Sequence, residues 1–157
     1  MPSALSPVAR SPLFERLEDE APFSADEPSA RRMLTPGELR DSVRAELMRL
    51  LNTRRGTTPA RRPLDVLLYG LPDWSASHAA RAGDRATLER DIVEAVTAFE
   101  PRLAQPRAHI EPDPDVPWRL RLRITGLLVA ADGRWPVSYV AQLADGQPVG
   151  VVNERIA

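Results

Sequence analysis

An α+β fold, with N-terminal helices packed on one face of a small antiparallel β-sheet, follows from two features of the sequence. Apolar residues recur with a period near 3.6 as far as Phe99, and with a period near two from Trp118 onward. Helices therefore precede strands, which is the segregated order of an α+β domain rather than the alternation of parallel-sheet proteins. The chain has 157 residues, of which 43% are hydrophobic, enough for one core.

The sequence divides at residue 34. Residues 1–34 read as a mobile N-terminal arm rich in Pro, Ser and Ala, with a short docking helix carrying Leu13, Phe14 and Leu17 on one face. An acidic, proline-broken linker follows from Asp19 to Arg32. Residues 35–157 read as a single α+β domain. Thr35 can cap the first helix, Pro36 suits its first position, Glu38 can reach back to the cap, and Leu34 and Leu39 are spaced for a hydrophobic staple. Leu39, Val43, Leu47, Leu50 and Leu51 then form an apolar stripe, with Arg54 and Arg55 expected in the last turn and Gly56 as the stop. In the irregular stretch that follows, Gly70 is suited to positive φ, Pro72 to a turn, and Asp73 to a bond with the backbone two residues on. A second helix is expected from Asp84 to Phe99, with Leu88, Ile92, Val96 and Phe99 inward.

Beyond Pro101 the alternation puts Trp118, Leu120, Leu122 and Ile124 on one strand face and Arg119, Arg121 and Arg123 on the other. A second strand places Trp135, Val137, Tyr139, Ala141 and Leu143 together, after a hairpin turn at Asp132 and Gly133. Shorter strands are expected near Arg107–Ile110 and Val149–Val152.

Composition limits the chemistry. With 21 basic residues, all of them Arg, 22 acidic ones and a net charge of -1, no global field draws the chain to nucleic acid or anionic lipid. The absence of cysteine removes disulfides and thiolate chemistry and fits a cytoplasmic address, and no segment has the apolar length of a membrane helix. His78 and His109 have no metal-ligand spacing and read as surface residues, and no nucleophile elbow or phosphate loop occurs. No catalytic, cofactor or metal residue is assigned. Glu111, Asp113 and Asp115 would share one face of an extended chain at a spacing that glycosidases use, but acids between prolines suit a solvated turn better. Arg54, Arg55, Arg61 and Arg62 form a basic run that reads as helix capping plus a solvated loop, with phosphate binding as the alternative. Three arginines on one stripe repel one another unless a partner or a neighbouring strand supplies carboxylates.

Glu100, Pro101 and Arg102 stand apart. Pro101 disfavours helical geometry at Glu100, so the helix should end near Phe99, where its electronegative terminus suits Arg102 and penalises Glu100. The glutamate therefore needs a donor, inside the protein or on a partner.

Four short motifs in a fixed order, LFERLED (13–19), LLNTRRG (50–56), YGLPD (69–73) and FEPRL (99–103), followed by a hairpin, resemble the TssE family of type VI secretion baseplate subunits. That family is similar to the sheath-initiating wedge proteins of contractile phage tails, often labelled lysozyme-like. The resemblance spans about residues 13–150. It implies a cytoplasmic, non-enzymatic wedge subunit that binds the wedge proteins TssF, TssG and TssK and starts polymerisation of the TssB and TssC sheath, with no cofactor, nucleic acid or membrane insertion. It further implies that Glu100, Pro101 and Arg102 bind a partner, and that the sheath joins a strand edge between Trp118 and Leu143. The insert TTPARRPLDVLL departs from the family pattern. Two other functions remain to be weighed: a muramidase-type hydrolase using Glu100 or Glu111, and a nucleic-acid binder using the arginine stripe.

Overall fold

The computed structural model describes residues 9–10, 12, 33–56, 64–74, 81–116 and 118–155. The expected docking helix, the linker from Asp19 to Arg32, His78, Arg61 and Arg62 lie outside the described residues. In chain order the elements are β1 (Ala9–Arg10), β2 (Met33–Leu34), α1 (Pro36–Asn52), a 3-10 turn (Val66–Leu68), α2 (Ala82–Phe99), β3 (Leu103–Pro112), β4 (Leu120–Ala130), β5 (Gly133–Leu143) and β6 (Val151–Glu154). Two residues expected in the arm, Ala9 and Arg10, pair antiparallel with Leu34 and Met33.

The first helix starts as its sequence predicts. Thr35 accepts from the Glu38 N–H while Glu38 accepts from the Thr35 N–H at 2.9 Å, which closes the capping box. Leu34 and Leu39 are both buried. The other end differs from expectation. The helix stops at Asn52, one turn before Gly56, because side chains there satisfy the last carbonyls: Asn52 donates to Met48 O and Thr53 to Arg49 O. Arg54 and Arg55 thus lie beyond the helix and do not cap it.

The sheet is a four-stranded antiparallel meander in the order β3-β4-β5-β6. Its register puts Ile110, Leu122 and Ala141 in one row and Ala108, Ile124 and Tyr139 in the next, on the face that α1 and α2 cover. Helix α2 lies along β3, and α1 runs beside β6, tied there by reciprocal hydrogen bonds between the Asn52 amide and the Val149 backbone. The expected inward stripe of α2 is found with Ala95 added, and Phe99 is half-buried. The hairpin loop is Ala131 and Asp132, one residue earlier than expected, since Gly133 already pairs with Ala130.

Opposite Gly126, β3 bulges between Ala104 and Arg107, and Gln105 takes φ 51°. A Cβ on Gly126 would stand 2.8 Å from Leu103 Cδ1, so glycine is what lets the bulged strand close on β4.

Two strand expectations are corrected. Trp118 does not join the inward face: β4 begins at Leu120, and the indole is 76% exposed in the turn before it. That turn is closed by Arg119 N–H donating to Val116 O, which ends the alternation short of Trp118. The strands from Trp118 to Leu143 also offer less free edge than expected. β4 is paired on both sides from Leu120 to Leu128, and β5 is paired with β6 at Ser138–Ala141, so Gly133–Val137 is the longest stretch of β5 with an open outer side among the described residues.

Candidate functional site

Three of the sequence motifs meet where α1, α2 and the loop between them converge. Asn52–Gly56 and Tyr69–Asp73 are joined by backbone: Leu71 N–H donates to Thr53 O at 2.9 Å and Arg55 N–H donates to Leu71 O at 2.8 Å. Gly70 makes this possible. At φ 102° it enters a region that suits glycine, and a Cβ there would overlap the Thr53 carbonyl, with Thr53 C only 2.9 Å away. Arg54 pairs with Asp73, donates to Trp74 O at 2.9 Å, and stacks 5.5 Å over the Trp74 ring. The backbone bond expected for Asp73, two residues on, lies outside the described residues. Arg54 is therefore already committed, which weakens the phosphate-binding alternative.

Tyr69 links this loop to the end of α2. Its ring meets Phe99 edge-on at 5.1 Å, and its hydroxyl donates to Glu46 Oε1 at 2.6 Å. Burial, then the hydrogen bond to Glu46, pushes the phenol pKa well above its usual range.

Next to Phe99 lies the Glu-Pro-Arg segment. The helix ends at Phe99 as Pro101 requires, and Leu103 N–H donates to Glu100 O at 3.1 Å, closing a four-residue turn with proline second. Glu100 is 1% exposed. Its carboxylate is held by Arg102 in a two-pronged fork, Nε to Oε1 at 2.8 Å and Nη2 to Oε2 at 2.6 Å, and by the Arg102 N–H at 3.2 Å. Arg102 Nη1 reaches α1, donating to Ser42 Oγ at 2.7 Å. The donor that Glu100 needs is thus internal. Pro101 is exposed and Arg102 keeps 22% of its side chain at the surface.

Sequence reasoning missed Ser42, Glu46 and Tyr139 as members of this junction. Ser42 left a signal, a polar residue one step from Val43 on the buried stripe of α1, and it is 8% exposed. Tyr139 was placed correctly in the core, but its hydroxyl donates to Arg40 O across 99 positions, which no local pattern encodes.

Two arginines of the stripe, Arg121 and Arg123, find a carboxylate on a neighbouring strand, while Arg119 donates to Gln142 Oε1. Glu154 of β6 accepts from Arg123 Nε at 2.9 Å, Arg123 Nη2 at 3.1 Å, Arg121 Nη2 at 3.3 Å and Ser138 Oγ at 2.6 Å. The hydrogen bond from Arg123, then that from Ser138, lowers the Glu154 pKa, and the same pairing raises that of Arg123. Glu111 faces Arg121 across β3 and β4. The run of acids does not share one face: Asp113 is 8% exposed and its Oδ1 accepts the N–H groups of Asp115 and Val116, so it organises a turn. Glu100 is 1% exposed and both of its carboxylate oxygens are engaged by Arg102, so it is not presented to a glycan as the acid of a hydrolase. His109 is exposed, with Nδ1 3.4 Å from Glu89.

The family model for baseplate wedge protein gp25 matches residues 37–132. The chain belongs to this family. The matched span, well over half of the sequence, runs from the first turn of α1 to the β4–β5 turn and holds all three motifs of the junction. Proteins of the baseplate wedge protein gp25 family are structural baseplate components. A solved chain described as "The baseplate complex from the type VI secretion system" superposes with a TM-score of 0.49 at 18% identity, over 68% of this chain and 98% of that one. No curated protein matches the sequence. Among the described residues, no helix is long and apolar enough to cross a membrane.

Proposed function

We propose that this protein is a TssE-type wedge subunit of a type VI secretion baseplate, assembled on the cytoplasmic side, where it binds TssF, TssG and TssK and initiates the TssB and TssC sheath. Family membership supports the baseplate role, and the order of the motifs supports the TssE type. The observation that carries the contact surface is the buried Glu100 carboxylate in its arginine fork. A turn fixed from within presents Pro101 and the outer edge of Arg102 in one conformation, so little ordering entropy remains to be lost on binding. In this scheme Glu100 positions Arg102 while Pro101 and Arg102 touch the partner.

The sheath strand is assigned to the edge formed by β6 and Gly133–Val137 of β5. The opposite edge is obstructed towards the end of β3: Ile110 N–H donates to Glu89 Oε1 at 2.6 Å, and Pro112, two residues on, has no N–H to offer. Main-chain pairing at the remaining edge would extend the sheet beside the hollow lined by Leu127, Pro136 and Val137.

The test uses Pro101→Asp in the full chain, which alters the exposed position and leaves the fork in place. It should melt within a few degrees of the parent, yet fail to co-purify with TssF and TssG. Undiminished complex formation would refute the assignment.

A further inference from the structure

Trp118 is the most conspicuous side chain that the wedge role leaves unused. The other two tryptophans, Trp74 and Trp135, pack against the core, whereas Trp118 is 76% exposed. The backbone on either side of it is hydrogen-bonded. Asp113 N–H donates to Arg119 O at 3.0 Å, Arg119 N–H donates to Val116 O at 2.9 Å, and the Asp113 carboxylate fastens the intervening backbone at Asp115 and Val116. Arg119 Nη1 is turned to Gln142 Oε1 at 3.3 Å. Tryptophan has only two side-chain torsions to lose on contact, and it is among the residue types most enriched at binding hot spots.

Charge selects the occupant. Asp115, three residues before Trp118 in the same turn, is exposed, and a protein surface broad enough to cover both would desolvate its carboxylate. An apolar pocket would leave that carboxylate uncompensated, while a cation stacked on the ring would satisfy both the π face and the acid. We propose that Trp118 and Asp115 form a docking point for an arginine-bearing segment of a partner protein, with the guanidinium stacked on the indole and its edge directed to Asp115. This contact is independent of the Glu-Pro-Arg surface.

The experiment titrates the full chain with an acetylated Gly-Arg-Gly-Arg-Gly amide at millimolar concentration, following the backbone amide signals of Asp113, Asp115, Val116, Trp118 and Arg119 by NMR. The citrulline counterpart serves as the uncharged control. Saturable shifts in this turn are expected with arginine and not with citrulline. Trp118→Leu should weaken the affinity roughly 2- to 30-fold, Trp118→Phe less, and Asp115→Asn should reduce its salt dependence. The exposed position makes both Trp118 variants fold with an unchanged melting temperature. Equal shifts with citrulline, an unchanged affinity in Trp118→Leu, or no arginine-dependent shift would each overturn the proposal. Failure here leaves the Pro101→Asp result untouched, so the two contacts are judged separately.

Discussion

Removing the Arg102 side chain while keeping Glu100 should destabilise the domain more than removing both charges. In Arg102→Ala the Glu100 carboxylate, 1% exposed, loses guanidinium donors at 2.8 and 2.6 Å and keeps the backbone N–H at 3.2 Å. Deleting one partner of a buried pair costs about 3–5 kcal/mol, because the remaining charge stays desolvated. Arg102 is itself 22% exposed, so water can enter the vacated space, and the lower end, about 3 kcal/mol, applies. For a domain of this length about 1 kcal/mol shifts Tm by about 2–4 °C, giving a drop of about 6–12 °C. In Glu100→Gln/Arg102→Met neither charge remains, and the double variant should be more stable than Arg102→Ala by about 1–2 kcal/mol. Urea denaturation followed by circular dichroism at neutral pH measures the unfolding free energies of the parent, Arg102→Ala, the double variant and its two singles, Glu100→Gln and Arg102→Met. A loss below about 1 kcal/mol in Arg102→Ala, or a double variant whose cost is the sum of its singles, would refute the buried-pair account. A plug with both charges at the surface would have melted almost unchanged.

Gly70→Ala should cost about 1–3 kcal/mol, since the residue is held at φ 102° against Thr53; a shift in the urea midpoint at constant m-value reads it. Glu154, whose folded pKa is lowered by Arg123 and Ser138, contributes stability that is complete above its ordinary value of 4.5 and is lost as pH falls through the lower folded value. The stability advantage of the parent over Glu154→Gln should therefore be constant near neutrality and shrink below about pH 4.5, and a pH series of urea midpoints would expose an advantage that persists in acid.

What the sequence determined by itself lay within a few residues of each signal. The Thr35 capping box, the apolar stripe of α1, the end of α2 at Pro101 and the alternation of β4 and β5 each depend on local sterics or on a repeat that any folded context would preserve. Tertiary structure decided the rest. The end of α1 moved to Asn52 because Asn52 and Thr53 captured carbonyls that arginines could also have served, and Asn52 was further fixed by Val149, 97 positions away. Trp118 left the strand because a turn closed around it, and the free sheet edge emerged only once four strands were paired. The Glu-Pro-Arg turn shows both levels. Its bend and the need for a donor were written in three adjacent residues, but the burial of Glu100 and the reach of Arg102 to Ser42, 60 positions away, depend on how two helices pack on one sheet. Burial is a property of surfaces brought together, and a linear pattern carries no record of which surfaces those are.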